Sequence, residues 1–383
     1  MKIYVEGSSI FKNRSGIGSY TMRLMTAHAQ KYPSDQITFF GFKFFSRPLP
    51  DFPIPASRSV RYKIVRWLPG RVYNMLFRLG VGPPLDLFFG WRPDVAIFPN
   101  FLVWPIWNHK TKTVPIIHDL SFIHFPQFAN AVNLSDTTRF VPKAVAKADH
   151  IITISKSSKR QIIEHFKVPA DKISIVYPGV DPAEFYPRSA SDIAPVRKKY
   201  KLPARYILYH GTLEPRKNID GLLAVYDQLD KALQTKYPLV LAGGKGWKDE
   251  AIFAGIDRLR KAGLKIIWTG YLPDADAPAV ISGASLLVFP SFYEGFGIPV
   301  LEAMACGVPV ISSDNTSLPE VVGDAGLLLK AKDTAGWTAA ITNLLGDKAL
   351  QQKLIKRGLV QAKKFTWAQS ATSLHEALAK LTR

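Results

Sequence analysis

The chain has 383 residues, 47% of them hydrophobic, which excludes fibrous and disordered classes and leaves room for two domains. Fifty lysines and arginines against 30 acidic residues give a formal charge of +20, which predicts an anionic partner. Cys306 is the only cysteine, so no internal disulfide is expected and a reducing compartment is indicated. The start MKIYVEGSSI lacks the apolar core of a signal peptide, and the aromatic run 86–107 is broken by Arg92 and three prolines. We therefore expect a cytosolic protein without a membrane span.

Short apolar runs alternate with helical periodicity along the chain, which predicts strand–helix units around parallel sheets. In the first half the predicted strands are KIYV, TVPIIHD and HIITIS, and a helix carries Ile17, Tyr20, Leu24 and Ala27. In the second half they are YILYH, YPLVLAGG, LKIIWTG, SLLVFP and VPVIS. The prolines of YPGVDPAEFYP, residues 177–187, mark the domain boundary. We therefore predict an α/β protein of two doubly wound domains, residues 1–180 and 181–366, followed by a final helix over 367–383.

The stretch PSFYEGFGIPVLEAMACGVPVISSD, residues 290–314, predicts a strand end, a loop, a helix and a further strand. Glu294 falls in the loop and Glu302 in the helix. Such a loop lies at the carboxyl end of its strand, where open parallel sheets bind ligands. Two acids beside free helix N–H groups favour a ligand rich in hydroxyls, which indicates a sugar or a ribose.

A second loop, HGTLEPRKNIDGLL at residues 210–223, places Arg216 and Lys217 just before a helix that Asn218 is suited to cap. Cations at a helix N-terminus oppose the helix dipole. They could be solvated surface charges, but a bound phosphate group explains their position better.

The segment NRSGIGSY places Gly16 and Gly18 where the first strand's loop becomes a helix. A tight turn and a phosphate cradle explain this pair of glycines equally well. Tyr20 and Thr21 stand where the dinucleotide fingerprint would need its third glycine, so a nicotinamide enzyme is disfavoured.

His118 and Asp119 end the predicted strand TVPIIHD and should point to opposite faces, so they are not a hydrogen-bonded dyad. His118 could be a core histidine or could face a catalytic site. Asp274 and Asp276 could hold a divalent metal, but a helix N-cap accounts for them better. No metal site is therefore predicted.

The segment EGFGIPVLE resembles the signature of two glutamates separated by seven residues in retaining glycosyltransferases of family four. GTLEPRKN, PIIHDLSF, SGIGSY and SLPEVVGDAG look like the family's other blocks, in the same order, so the resemblance covers nearly the whole chain. It implies the GT-B fold, in which two Rossmann-like domains face each other across a cleft. It also implies that helix 367–383 crosses back to complete the N-terminal, acceptor-side domain.

The resemblance also implies roles for the candidate residues. A nucleotide-sugar donor would bind mainly to the C-terminal domain, in the cleft. Glu302 would accept the ribose hydroxyls, and Arg216 and Lys217 would hold the diphosphate. Glu294, with the backbone of Gly295, Phe296 and Gly297, would hold the donor sugar. His118 would approach the same sugar from the N-terminal domain. Gly16 and Gly18 would lie near the phosphates and the acceptor.

One departure bears on the donor, because Thr212 stands where many members carry arginine. This form looks like mannosyltransferases that use GDP-sugars in bacterial surface-polysaccharide (lipopolysaccharide) assembly, with a saccharide acceptor linked to polyprenyl diphosphate. A UDP-sugar donor, a GT-B epimerase or phosphorylase, and a non-catalytic sugar-binding relic remain alternatives. Nucleic acid is not an expected partner, because no recognition motif is present and the basic residues are spread over both halves.

Residues 52–85 contain no acid and six cations, interleaved with aromatic residues from Phe52 to Phe77. Within them, RVYNMLFRL has Val72, Met75, Leu76 and Leu79 at helical spacing. The segment could be an ordinary helix on the core with a solvated basic rim. The absence of acids favours peripheral binding to an anionic membrane surface, on the inner face of the cytoplasmic membrane.

Overall fold

The computed structural model describes residues 1–11, 16–42, 54, 56–89 and 92–382. Contacts divide the chain into two compact units: unit 1 is Met1–Leu120, Ala131–Pro178 and Trp367–Arg383, and unit 2 is Ser121–Asn130 and Gly179–Thr366. The change between Pro178 and Gly179 lies beside the boundary drawn from the sequence. The grouping of Ser121–Asn130 with unit 2 was not predicted.

The first 178 residues supply seven strands and seven helices among the described residues. The strands are β1 (Lys2–Glu6), β2 (Gln36–Phe42), β3 (Val60–Val65), β4 (Val95–Phe98), β5 (Lys112–Ile117), β6 (Ile151–Thr153) and β7 (Ile173–Ile175). The helices are α1 (Ser8–Phe11), α2 (Gly16–Lys31), α3 (Gly70–Leu79), α4 (Asp86–Phe89), α5 (Ser121–His124), α6 (Ala131–Lys147) and α7 (Lys156–Phe166). Short 3₁₀ turns cover Pro126–Phe128 and Ala170–Lys172.

The remaining residues supply six strands and ten helices within the described part of the chain. The strands are β8 (Ile207–His210), β9 (Leu239–Ala242), β10 (Ile266–Gly270), β11 (Leu286–Phe289), β12 (Val310–Ser313) and β13 (Leu327–Leu329). The helices are α8 (Ala190–Lys199), α9 (Ile219–Asp227), α10 (Lys231–Lys236), α11 (Glu250–Lys261), α12 (Ala277–Ser282), α13 (Ile298–Ala305), α14 (Leu318–Val322), α15 (Thr334–Gly346), α16 (Lys348–Ala362) and α17 (Trp367–Thr382). A 3₁₀ turn covers Pro215–Lys217.

Unit 1 is built on a parallel sheet with the order β3-β2-β1-β4-β5-β6-β7. Ile3 lies opposite Ile37 on one side and Val95 on the other, and all three are fully buried. Strands buried on both faces need continuous apolar runs, which is why KIYV could be recognised from the sequence, whereas its neighbours β2 and β4 were not predicted. The order of strands, reversing at β1, is that of a doubly wound fold.

Unit 2 is a second parallel sheet with the order β10-β9-β8-β11-β12-β13. Leu208 of β8 pairs with Val240 of β9 and with Leu287 of β11, so β8 lies between these two strands. The order reverses at β8, and the loops that leave β8 and β11 at their carboxyl ends are therefore neighbours. In doubly wound sheets this switch point is where ligands bind.

Helix α17 packs on α2 inside unit 1, and a polar cluster fastens the two helices. Asp35 Oδ2 accepts hydrogen bonds from His28 Nε2 at 2.9 Å and from His375 Nδ1 at 3.1 Å, while the Met1 amino group donates to Oδ1 at 2.7 Å. Burial raises the pKa of Asp35, but the bonds from Met1 and His28 outweigh burial, so its pKa lies below the usual value. The ligand atoms of the three side chains lie within 4.8 Å of one another, a spacing that could also hold a metal ion.

Two sequence expectations about local structure are wrong. Asp276 does not cap α12 through its side chain, because its carboxylate accepts instead from Lys199 Nζ at 2.6 Å and from the Tyr200 hydroxyl at 2.7 Å. Strand β5 ends at Ile117, so His118 and Asp119 follow the strand rather than complete it. For Asp276, contacts with residues distant in sequence decided what the local pattern left open.

Within the described ranges, no helix has both the length and the hydropathy that crossing a bilayer requires.

Replacing Asp35 by alanine should destabilise unit 1, because buried His28 would keep its N–H without an acceptor. The expected loss is roughly 1–3 kcal/mol, seen as a lower midpoint in thermal unfolding. Asp171→Ala, an exposed change in the same unit, is the control and should leave the midpoint unchanged. Equal midpoints for both variants would contradict the fastening role given to Asp35.

Candidate functional site

The site in unit 2 is formed by the two loops at the carboxyl ends of β8 and β11. The first loop turns at Gly211, whose φ of +145° favours glycine, and then forms the 3₁₀ turn Pro215–Lys217. The second loop, residues 290–297, ends at Gly297, where φ is +117° and an added Cβ would lie 2.7 Å from Leu318. Helix α13 begins directly afterwards, with proline in its first turn.

Buried charges join these two loops. Lys217 Nζ donates to Glu294 Oε1 at 2.5 Å. Arg216 Nη1 donates to the Tyr293 carbonyl at 2.6 Å and reaches Glu294 Oε2 at 3.3 Å, while its Nη2 donates to Glu214 Oε1 at 2.6 Å. Glu214, Lys217 and Glu294 are all buried. The structure thus brings together Arg216, Lys217 and Glu294, three residues singled out in the sequence.

The Glu294 carboxylate is held in its ionised form. Burial alone would raise the pKa of Glu294, but the positive charges of Lys217 and Arg216 and the hydrogen bond from Lys217 outweigh burial. The pKa of Glu294 is therefore lower than the ordinary value. A buried carboxylate that stays charged can accept several hydrogen bonds from a ligand, which suits recognition of hydroxyl groups.

Backbone contacts fix the loop that carries Glu294. Its N–H donates to Thr316 Oγ1 at 3.0 Å, and the Ser317 hydroxyl lies 2.9 Å and 2.8 Å from the carbonyls of Glu294 and Phe296. Gly295 is buried, and the Phe296 ring packs against Phe365 in the core of unit 2. Because the Phe296 ring is occupied in this way, Phe296 can offer a ligand only its backbone.

Asn218 has a different role from the predicted helix cap. It precedes α9 with a φ of +57° and makes no capping hydrogen bond through its side chain. Its Nδ2 donates to the carbonyls of Pro290 and Ala331 at 3.2 Å and 2.9 Å, and so ties the first loop to the second. The cap prediction is therefore wrong, because longer-range carbonyls engage the amide.

Glu302 lies in the second turn of α13, and its Oε2 is 3.7 Å from His210 Nε2 at the end of β8. Burial lowers the pKa of His210 to about 4, the Ala242 carbonyl opposes this shift, and the charge of Lys217 adds to it. His210 is therefore a neutral imidazole at pH 7, beside a carboxylate. Neither His210 nor Glu214 was among the residues predicted from the sequence. The signal available was only their place in the motif around Arg216.

The other candidates lie in unit 1. Gly16 begins α2 with open space where a Cβ would be, and Gly18 is buried in its first turn; residues 13–15 of the glycine-rich segment lie outside the described residues. His118 follows β5, and its Nε2 donates to the Pro99 carbonyl at 2.9 Å. Its ring makes edge contacts with Tyr20 and Phe101, and burial lowers its pKa. His118 is thus a neutral imidazole fixed in orientation by its neighbours.

Comparison with known proteins places the chain in a family. Residues 14–184 match Glycosyltransferase Family 4, and residues 192–360 match the glycosyl transferases of group 1. The O-antigen chain mannosyltransferase B of Escherichia coli is 41% identical over 280 residues, 72% of this chain and 71% of that protein. The serotype-specific mannosyltransferase WbdA of Escherichia coli is 34% identical over 281 residues, 71% of this chain but only 33% of WbdA.

Solved structures agree on the fold. A sucrose-phosphate synthase of Thermosynechococcus elongatus covers 100% of this chain and 99% of its own, with a TM-score of 0.75 and 22% identity. WaaG, a glycosyltransferase of lipopolysaccharide biosynthesis, covers 98% of both chains with a TM-score of 0.71 and 14% identity. The protein belongs to glycosyltransferase family 4, and the predicted GT-B fold with two Rossmann-like domains is confirmed.

The ion pair between Lys217 and Glu294 should appear in a double-mutant cycle. Lys217→Met and Glu294→Gln should each lower the stability of unit 2, because each leaves a buried polar group without its partner. Together they should cost less than the sum, with a coupling of about 0.5–3 kcal/mol in urea unfolding. Lys217→Met combined with Glu250→Gln, at the exposed start of α11, should be additive. Additive effects in both cycles would contradict an energetic coupling between Lys217 and Glu294.

Proposed function

We propose that the protein is a retaining mannosyltransferase that takes mannose from a GDP-sugar and adds it to a lipid-linked saccharide during assembly of a bacterial surface polysaccharide. Membership of glycosyltransferase family 4 supports the transfer of a sugar. The mannosyltransferase names of the relatives at 41% and 34% identity support mannose as that sugar. The observation that carries the proposal is the cluster of buried Lys217 and Glu294 with half-buried Arg216 at the carboxyl ends of β8 and β11.

Each side chain of the cluster has a task in this proposal. Lys217 and Arg216 donate hydrogen bonds to the diphosphate and stabilise the charge that develops as the nucleoside diphosphate leaves. Glu302 accepts the ribose hydroxyls. Glu294 accepts hydroxyls of the donor sugar, helped by the backbone N–H groups of residues 295–297 that precede α13.

Residues of unit 1 complete the proposed reaction. His118, neutral and fixed by the Pro99 carbonyl, contacts the donor sugar, and Gly16 and Gly18 allow close approach of phosphates or acceptor. Glu294 is a poor nucleophile, because two cations compete for its oxygens. We therefore favour departure and attack on the same face of the sugar, which retains the configuration without a covalent enzyme intermediate. In this proposal cationic side chains of the chain, Lys217 and Arg216 among them, take the place that a metal ion would have, so no metal is required.

The donor is tested by a binding panel of GDP, UDP, ADP and dTDP, followed by transfer from the sugar form of the nucleotide that binds best. GDP should bind most tightly, and mannose from GDP-mannose should be transferred with and without a chelator. Glu302→Gln should weaken nucleotide binding by about 1.5–3 kcal/mol, the value of a charge-assisted hydrogen bond, while Glu250→Gln should not.

Each part of the proposal can fail separately in this panel. Preference for UDP would replace the GDP-sugar by a UDP-sugar, and interconversion of nucleotide-sugars without transfer would favour an epimerase. Loss of activity in chelator, restored by magnesium or manganese, would contradict the metal-free reaction. Product of inverted configuration, read by NMR of the new anomeric proton, would contradict retention.

The lipid-linked acceptor would be met at a membrane, and unit 1 has a surface suited to it. Helix α3 buries Tyr73 and exposes Met75 and Leu79, and it follows the edge strand β3 with exposed Arg61 and Lys63. Arg78 pairs with Asp136. Phe52 of the predicted segment lies outside the described residues. The apolar side chains exposed around α3 are Trp67, Val72, Met75, Leu79, Val81 and Leu87. Apolar residues rimmed by cations favour peripheral binding to anionic lipid.

Vesicle co-sedimentation tests this surface. Binding should depend on anionic lipid, weaken with salt, and fall sharply when Arg58, Arg61, Lys63 and Arg66 are all changed to Glu, since each cation near such a surface contributes about 1 kcal/mol. The control carries the same change in net charge in unit 2, as Lys231, Lys265, Lys332 and Lys348 all changed to Glu. Equal sedimentation of the two variants would exclude β3 and α3 as the membrane surface.

A further inference from the structure

The charge balance of the unit 2 site leaves a donor diphosphate short of cations. Arg216 and Lys217 are the cations assigned to the diphosphate, yet both are already paired, Arg216 with Glu214 and Glu294, and Lys217 with Glu294. The formal charges of these four side chains cancel. Glu302 adds a negative charge, and neighbouring His210 is neutral. A nucleoside diphosphate sugar brings two further negative charges, so another cation is needed close to the β8 loop.

Lys245 is the cation that the backbone places beside that loop. Lys245 follows β9 and forms a parallel β-bridge with Leu213. In this bridge the Leu213 N–H donates to the Gly244 carbonyl and the Gly246 N–H donates to the Leu213 carbonyl, both at 3.0 Å. The loops touch at Gly243, where an added Cβ would lie 1.8 Å from the Gly211 carbonyl oxygen. Lys245 is thus fixed next to the turn at Gly211 and Thr212.

The ammonium group of Lys245 is not committed to an acid. Its Nζ lies 4.5 Å from the centre of the Phe253 ring and 5.8 Å from that of Trp268, and the side chain is exposed. Among the described residues no carboxylate lies within 4.0 Å of it. The nearby Lys248 differs, because its Nζ donates to the Gln127 carbonyl at 2.7 Å. An exposed ammonium group held only by half-buried aromatic rings can move to a stronger, charged acceptor at little cost.

We infer that Lys245 is a further phosphate-binding residue of the donor site. When a nucleoside diphosphate binds, the Lys245 ammonium group moves away from the Phe253 and Trp268 rings and donates hydrogen bonds to the diphosphate. Thr212 supplies no positive charge to the β8 loop, and Lys245 would supply one from the neighbouring β9 loop. The inference rests on the proposed function, because it presumes that a nucleoside diphosphate occupies the site.

Calorimetric titration with GDP and with guanosine, and with UDP and uridine, tests this role in the 383-residue protein. Lys245→Met should weaken binding of the diphosphate about tenfold, as expected for loss of one charge-assisted hydrogen bond, and should leave nucleoside binding unchanged. Lys245→Arg should retain the affinity of the wild type. Lys265→Met, which removes an exposed lysine before β10, should change neither affinity.

The possible failures are distinguishable. If the wild type binds GDP or UDP and Lys245→Met binds it equally well, Lys245 has no phosphate role, while the proposed function stands. Equal losses of diphosphate and nucleoside would indicate that Lys245 only supports the loop, which also overturns the inference. If the wild type binds no nucleoside diphosphate, the proposed function and the role of Lys245 both fail.

Discussion

The architecture of the unit 2 site depends on one buried interaction, the ion pair between Lys217 and Glu294 with Arg216 beside it. Transferring an ion from water to the protein interior costs roughly several kcal/mol of free energy. A buried ion pair recovers this cost only with good geometry and further hydrogen bonds. Apolar side chains of similar volume would stabilise the loops at least as well. Stability alone therefore does not explain these charges, whereas the proposed recognition of phosphate and hydroxyl groups does.

The sheet topology makes this pair possible. Lys217 and Glu294 are separated by 77 residues, and they meet because β8 pairs directly with β11 at the point where the strand order reverses. The Asn218 amide donates to the Pro290 carbonyl and the Phe292 N–H donates to the Arg216 carbonyl, so both contacts tie the two loops, while the Ser317 hydroxyl holds the second loop at the Glu294 carbonyl. The charged side chains are thus held by rigid surroundings, which is what preorganised stabilisation of a leaving group requires.

Much of the fold was predictable, because strands buried on both faces leave continuous apolar runs such as YILYH and SLLVFP. The residues of the candidate site were also recognisable, since strand–loop–helix patterns place Glu294 and Lys217 at strand ends. Their pairing could not be predicted, because it depends on strand order rather than on local pattern. The same limit explains the two wrong caps. Asp276 and Asn218 have suitable residue types before helices, but Lys199 and the Pro290 carbonyl, distant in sequence, engage them instead.

The high positive charge of the chain has to be explained apart from the proposed donor site. The formal charges of Glu214, Arg216, Lys217 and Glu294 cancel and Glu302 adds one negative charge, so none of the net charge of +20 arises there. Exposed cations such as Arg61 and Lys63 lie instead in unit 1, near the exposed apolar side chains of α3. A soluble anionic substrate would need cations in the binding loops, whereas a surface such as a membrane attracts cations spread over a face. The distribution of charge therefore agrees with the proposal of two separate anionic partners, a small one in unit 2 and an extended one at unit 1.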